Sequence, residues 1–410
     1  MERSTFEYSA KHLETEMIQL SIRPIFKDRN KLSPHYIPKK LPYREEQLRM
    51  LHSIYGAMIR NIESAYPRFI QIIGPTGSGK TCTAIRFGEQ IMEYAEKEDV
   101  KLRHIYMNCK VDGATRYVLF RNLIRKVTSK ISTRSLSPEE MIQQLIEYLR
   151  LENMFLLVTF DEIDYFVQIN PKEHVIYDLT RVTEMSPGKP SPIIGEIFIA
   201  RSLRWRERLD PRERSTLGLG IIEFPRYTGQ QIRDILSNRI EEAFYPEAVS
   251  EEALDLISEI TANPPVNGDI RVGLDLLYYA GNLAENRGSS RILPDHVRKV
   301  YSEIGPSITT EDIISLNMDE RLILLALVRS LKLSGSAYVG LRDIYRSYKV
   351  VCEEFNTKPT EKFEEYLQDL IYRGLVDMKS LMEIGISGAS VIDLEDFLNS
   401  LAERLRKETK

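Results

Sequence analysis

Cysteine is scarce in this 410-residue chain: Cys82, Cys109 and Cys352 stand far apart, with no CxxC or CxxH pair. That excludes a disulfide framework or a zinc finger and fits a reducing compartment. Long hydrophobic runs are also missing. The longest, residues 322–328, is too short to cross a bilayer. Residues 1–17 mix both charge signs and lack the apolar centre of a signal peptide. Nor does one charge sign dominate: 56 Lys and Arg face 60 Asp and Glu, a net of −4. This excludes a uniformly basic nucleic-acid coat but leaves room for a local basic face. Hydrophobic residues make up 42% and charged residues 28%, as in ordinary packed domains. The expectation is a soluble cytoplasmic protein of two or three domains with no membrane partner.

Residues 1–40 read as a charged lead-in, extended where Pro24, Pro34 and Pro38 break it. Helical spacing covers 45–60. Short apolar runs at 68–73, 103–108, 154–160, 193–200 and 220–224 then alternate with helical stretches at 82–96, 117–131 and 141–149. Apolar strands separated by helices predict a parallel sheet covered on both faces. From Gly229 the pattern turns helical (230–244, 251–261, 269–286), and Gly305 and Pro306 suggest a linker. Beyond it, helices at 319–331, 341–349 and 360–373 precede two short strands, 374–378 and 390–394, and a closing helix, 394–407. That order predicts a winged helix. The predicted domains are an α/β core with its lead-in at 1–225, a helical lid at 226–306 and a winged helix at 307–410.

Gly74, Pro75, Thr76, Gly77, Ser78, Gly79, Lys80 and Thr81 form GxxxxGKT between a strand and a helix that opens near Cys82. This is a phosphate-binding loop. Its glycines let successive N–H groups point inward, and the helix N-terminus faces the phosphates. Lys80 can bridge the β- and γ-phosphates of ATP or ADP, and Thr81 can ligate Mg²⁺. The apolar strand at 154–160 delivers Asp161 to the same edge of the sheet as a second Mg²⁺ ligand. Glu162 follows, placed to polarise a water, which points to hydrolysis. Asp164 reads as a helix cap.

These paired motifs, followed by a lid and a winged helix, resemble the AAA+ ATPases. More narrowly, residues 25–400 resemble the archaeal origin-recognition initiators related to the eukaryotic origin-recognition complex and its loading factor. Tyr36, Ile37 and Pro38 with 41–45, which includes Arg44, are similar to the segment that family places over the adenine. Residues 106–109, 157–164 and 177–181 resemble its strand and helix ends. Residues 209–217 and 224–227 resemble the stretch bearing the arginine finger, with Arg212 favoured over Arg214 and Tyr227 near the nucleotide. Gly268, Asp269, Ile270 and Arg271 resemble the lid sensor, so Arg271 is expected to contact the γ-phosphate. One position departs from the family. After Ile199 and Ala200 it usually has a small polar residue, often Asn, that orients the attacking water; here Arg201 stands, then Ser202. The implication is slow hydrolysis, a switch rather than a motor, with Ser202 as the alternative polar group.

The resemblance implies a nucleoid-associated replication initiator bound to duplex origin DNA, with a paralogous initiator or the replicative helicase as partner. A winged helix puts its third helix in the major groove and its hairpin on the backbone. The third helix carries Glu361, Lys362, Glu364 and Glu365, and the wing expected at 379–390 has one cation, Lys379. Residues 308–410 hold 14 Lys and Arg against 18 Asp and Glu, which is the whole net deficit. Basic stripes at Arg342, Arg346 and Lys349, and at Arg116, Arg121, Arg125, Lys126 and Lys130, offer phosphate contacts instead. The competing readings are a solvated helix face for the stripe at 116–130, a regulatory ATPase whose winged helix binds proteins, and a junction-type DNA motor.

Overall fold

The computed structural model describes residues 24–408 apart from 65, 114, 182–190, 306–307 and 381. Its contacts divide the chain into two units, residues 37–227 and residues up to 36 together with 228–410.

The first unit is a parallel sheet between helical layers. It runs α1 (Glu45–Arg60), β1 (Arg68–Ile73), α2 (Lys80–Lys97), β2 (Leu102–Asn108), α3 (Cys109–Asp112), α4 (Arg116–Val127) and α5 (Pro138–Leu151). Then come β3 (Phe155–Asp161), α6 (Ile163–Ile169), α7 (Val175–Thr180), β4 (Ile193–Ala200), α8 (Pro211–Leu217) and β5 (Ile221–Glu223). The strand order is β2-β3-β4-β1-β5, and every pairing is parallel. Parallel strands buried on both faces need apolar residues at successive positions, and all of β4 is buried. Side chains alternate between two cores: Phe160, Phe198 and Phe120 on one face, Ile72, Leu157, Tyr55 and Phe87 on the other. The apolar spacing of α5 begins only at Met141, but the helix starts earlier. Ser137 and Glu140 close a capping box, with Pro138 at the first position.

The second unit holds α9 (Gly229–Ala243), α10 (Glu251–Ala262), α11 (Ile270–Asn286) and α12 (Pro294–Ile304). It continues through α13 (Thr310–Ile314), α14 (Met318–Ser334), β6 (Tyr338–Gly340), α15 (Leu341–Glu354), α16 (Phe363–Tyr372), β7 (Asp377–Ser380), β8 (Glu383–Gly385) and α17 (Val391–Glu408). Residues 24–36 pack on its helices, where the sequence attached them to the α/β core. Phe26 stacks on Phe244 at 4.8 Å, and the Lys27 and Asp28 amides donate to Ala243 O. The cause is burial: Ile25 and Phe26 are both buried, and Gly281 leaves room for the Phe26 ring, which a Cβ there would meet at 2.4 Å. The lead-in at 1–23 lies outside the described residues.

The winged helix also differs from expectation. The second hairpin strand is Glu383–Gly385, and residues 391–394 open the last helix. Val391 and Ile392 are β-branched, but Ser390 Oγ accepts from the Asp393 amide and the burial of Val391, Leu394 and Leu398 has helical period. The described hairpin strands are therefore Asp377–Ser380 and Glu383–Gly385. A third strand, β6, pairs with β8.

Candidate nucleotide site

The phosphate loop leaves β1 at the C-terminal edge of the sheet. Gly77 and Gly79 have φ of 73° and 84°, the left-handed region that glycine enters freely. A Cβ on Gly79 would lie 2.6 Å from the Tyr227 hydroxyl, and one on Gly74 would lie 2.3 Å from Phe224 O. The loop is thus pressed against the segment after β5. Ser78 Oγ donates to Pro75 O at 2.8 Å, and Lys80 Nζ donates to Gly74 O and Pro75 O, each at 2.7 Å. Cys82 lies half-buried in the first turn of α2.

Arg44 sits behind this loop rather than in it. It is 3% exposed. Its Nε donates to Ser78 O at 2.9 Å, one terminal nitrogen to Tyr43 O at 2.7 Å and the other to Pro225 O at 2.9 Å. The guanidinium stacks over Tyr227 at 4.0 Å. Burial, above all, pushes the Tyr227 phenol up to about 12, against the pull of Arg44. The expectation that Arg44 touches the nucleotide is corrected: all three guanidinium nitrogens are held by backbone carbonyls, so it braces the loop.

At the end of β3, Asp161 Oδ2 accepts from Thr81 Oγ1 at 2.5 Å and from the Tyr106 hydroxyl at 2.8 Å. Its Oδ1 accepts from the Glu162 amide at 2.7 Å. Burial first, then the charge of Asp161, push the Tyr106 phenol up, so it stays a donor. Oxygen-only donors from Thr81 and Asp161 suit a hard cation such as Mg²⁺, and they converge beside a loop whose backbone a Cβ would obstruct. The residues fit a Mg²⁺-nucleotide.

Glu162 adopts a left-handed backbone, φ 53°, and is itself the N-cap of α6. Asp164 therefore lies in the first helical turn, not at the cap. Its Oδ2 accepts from the Arg201 amide at 3.3 Å. The Arg201 side chain reaches toward Glu162 Oε2 at 3.9 Å and Asp164 Oδ2 at 3.8 Å. Ser202 precedes a short 3-10 turn without capping it.

Of the two finger candidates, Arg214 Nε is tied to Leu209 O at 3.0 Å. Arg212 is exposed. Asp210 caps their helix with Glu213 in a capping box. His174 Nδ1 lies 3.6 Å from Glu213 Oε2 and 3.8 Å from Asp210 Oδ2, a contact with no signal in the local residue pattern.

Tyr36 and Arg271 belong to the second unit. Lys31 Nζ donates to the Tyr36 hydroxyl at 3.0 Å, and Arg239 covers its ring at 4.8 Å. Arg271 is exposed in the first turn of α11, where its amide donates to Asp269 Oδ1.

The basic stripe in the α/β unit is largely consumed by pairing. Arg116 binds Glu139 and Asp178, each at 2.5 Å, Lys126 binds Asp112 at 2.6 Å, and Lys130 binds Glu152 at 2.7 Å. Arg116 is thereby removed from the phosphate-contact set. Arg121 is half-buried, and Arg125 remains exposed. On the winged helix, Arg342, Arg346 and Lys349 form an exposed row on α15. Arg346 lies 3.5 Å from Asp343, and Lys349 covers Tyr345 at 4.8 Å. Lys362 pairs with Glu365 at 3.4 Å. Lys379 turns to Glu259 on α10 at 4.0 Å and over Tyr338 at 5.4 Å, so the wing's expected phosphate contact faces the lid instead.

Three family models match in series: an AAA domain over residues 63–200, a Cdc6 AAA+ ATPase-type lid domain over 233–302, and a CDC6 C-terminal winged helix domain over 311–383. The ORC1-type DNA replication protein 2 of Saccharolobus solfataricus is 30% identical over 377 residues, covering 90% of each chain. The ORC1-type DNA replication protein of Pyrococcus furiosus is 32% identical over 88% of this chain and 84% of its own. The crystal structure of Cdc6p from Pyrobaculum aerophilum superimposes with a TM-score of 0.77 at 30% identity, covering 93% of this chain and 99% of that one. That of the Aeropyrum pernix ORC1 protein in complex with DNA gives 0.60 at 27% identity, covering 92% and 97%. AAA core, Cdc6-type lid and Cdc6 winged helix thus follow one another along the chain, and the chain belongs to the ORC1/Cdc6 family of DNA replication proteins.

Proposed function

We propose that this chain is an ATP-switched replication initiator that binds double-stranded DNA at or near an origin and hydrolyses ATP slowly. The observation that carries the reading is the convergence, at 2.5 Å, of Thr81 in the first turn of the helix after the phosphate loop and Asp161 at the end of β3. Lys80 neutralises the phosphates, and the loop amides orient them. Mg²⁺ held by Thr81 and Asp161 would supply further charge neutralisation. Glu162 orients a water and accepts its proton. Arg212, exposed where Arg214 is tied to Leu209 O, is the arginine offered to the nucleotide of a neighbouring initiator. Slow turnover follows from Arg201, which stands where a small polar residue would orient the water. Turnover on the order of ten per second, the median for enzymes, contradicts the switch.

The DNA contact rests on Arg342, Arg346 and Lys349, with Arg125 and Arg121 as the second surface. Duplex affinity is measured across a salt series for the wild type, for Arg342→Ala/Arg346→Ala and for Arg121→Ala/Arg125→Ala. Loss of two phosphate contacts lowers the log–log salt slope by about 1.8. No duplex binding at low salt, or a flat slope in the wild type, overturns DNA as the ligand. One observation favours a second reading, in which the winged helix docks a protein such as the replicative helicase: Glu361, Glu364 and Glu365 are exposed at the start of α16, and the wing's lysine is engaged. Unchanged DNA binding in both double variants supports it.

A further inference from the structure

We propose that Arg201 is an internal brake on hydrolysis, a positioning residue whose guanidinium holds the Glu162 carboxylate off the attacking water. The inference deepens the ATPase reading above and rests on it.

The topology puts Arg201 where it can serve both sides of the reaction centre. β4 lies between β1 and β3 in the sheet. On one side Ala200 pairs with Ile73, and the Gly74 amide donates to Ala200 O at 3.3 Å, so Arg201 emerges beside the first residue of the phosphate loop. On the other side Phe198 pairs with Phe160, which brings the end of β4 alongside Asp161 and Glu162. A cation at this strand tip has carboxylates to one side and the phosphate site to the other.

In the structure it takes the carboxylates. The Arg201 amide is hydrogen bonded to Asp164 Oδ2, which fixes its backbone. Its Nε lies 3.8 Å from the same oxygen, and a terminal nitrogen lies 3.9 Å from Glu162 Oε2. Among the described residues, Glu162 Oε2 and Asp164 Oδ1 are buried and accept no hydrogen bond. Buried carboxylate oxygens without a donor need a compensating charge, and Arg201 is a cation within reach of both groups. At almost 4 Å these are ion pairs without hydrogen bonds, and the Arg201 side chain is 60% exposed. The clamp is therefore loose enough to exchange partners. A γ-phosphate beside Gly74 competes for the guanidinium, and Glu162 becomes free when Arg201 leaves it. A small polar residue at the same position could orient water but could not neutralise Glu162. Side-chain charge at this strand tip thus sets the rate.

The test is ATP turnover by the full chain in Arg201→Met, which removes the charge without adding a polar group to orient water, and in Arg201→Lys, with ATP affinity measured in parallel and the melting temperature showing that each variant is folded. The brake predicts a kcat about fivefold above wild type for Arg201→Met, equivalent to ~1 kcal/mol of barrier at 1.36 kcal/mol per tenfold. ATP affinity is expected to stay unchanged, and Arg201→Lys to hold the slow wild-type rate. A kcat that falls, or does not change, in a folded Arg201→Met overturns the brake; a fall assigns Arg201 to direct phosphate stabilisation instead. Failure of the ATPase reading itself shows differently: the wild type then has no nucleotide binding or hydrolysis that Lys80→Ala abolishes.

Discussion

Replacing Arg44 by alanine separates a brace from a nucleotide contact. Arg44 donates to Ser78 O, Tyr43 O and Pro225 O at 2.7–2.9 Å and stacks on Tyr227. Hydrogen bonds from a charged group contribute roughly 1.5–3 kcal/mol each, so three contribute about 6. The stacking adds about 1–2 kcal/mol in a desolvated setting. Burying the guanidinium costs several kcal/mol and offsets much of this. The net expectation is a loss of about 3–5 kcal/mol for Arg44→Ala. Arg44→Lys keeps the charge but cannot reach three divergent carbonyls, and about 2 kcal/mol is expected. The assay is denaturant unfolding without nucleotide, followed by the fluorescence of Trp205. This is the single tryptophan of the chain, and it is buried in the same unit as Arg44. Nucleotide affinity is then measured under folding conditions. A stability loss below about 1 kcal/mol, combined with lost ATP affinity, would refute the brace and return Arg44 to the ligand.

Two further predictions follow from buried charge. Burial pushes His104 down to about 4, and its Nε2 lies 2.8 Å from Thr159 Oγ1. The unfolded chain takes up this proton near 6.5 and the folded chain only near 4, so stability is lost as pH falls through that window, by ~3 kcal/mol in total. Asp178, raised to about 6 chiefly by burial, shifts stability the other way. The check is therefore the difference between wild type and His104→Gln, in which Asp178 cancels; a difference independent of pH from 7 to 4 contradicts it. Arg298, 2% exposed and lowered to about 10 mainly by burial, donates to Ile386 O at 2.6 Å and Ala337 O at 2.9 Å, joining the lid helix α12 to the winged helix. Arg298→Met is expected to lose about 3 kcal/mol and to speed amide exchange at β6 and β8, read by mass spectrometry; unchanged exchange there contradicts the joint.

The site was legible where its chemistry is local. GxxxxGKT and the strand ending in Asp161 and Glu162 lie within single strand–turn units, and their periodicity and glycines declare them. The sheet was legible because a doubly covered strand such as β4 must be apolar throughout. What escaped depends on distant partners. Arg44 looks like a ligand next to Tyr43, but its partners include Ser78 and Pro225, which a local reading cannot pair with it. Arg116, Lys126 and Lys130 look like a phosphate stripe until Asp178, Asp112 and Glu152 are placed beside them. Lys379 is spent on Glu259, more than a hundred residues earlier in the chain. Residues 390–394 have β-branched composition, and only the burial of Leu394 and Leu398 with the Ser390 cap decides for helix. Arg201 was visible as an odd residue at a strand tip; its engagement with Glu162 and Asp164 required the β3–β4 register.

An ATP-switched initiator, as proposed above, binds DNA differently in its two nucleotide states. The direct measurement is fluorescence anisotropy of a labelled origin-derived duplex titrated with wild-type protein loaded with ATP or with ADP, beside Lys80→Ala. A ligand shifts an equilibrium only by its differential affinity for the two states, so a switch worth 1–3 kcal/mol of coupling gives affinities about 5- to 150-fold apart. That separation is expected in the wild type and its disappearance in Lys80→Ala. Equal affinities with ATP and ADP in a wild type that binds both nucleotides would contradict it.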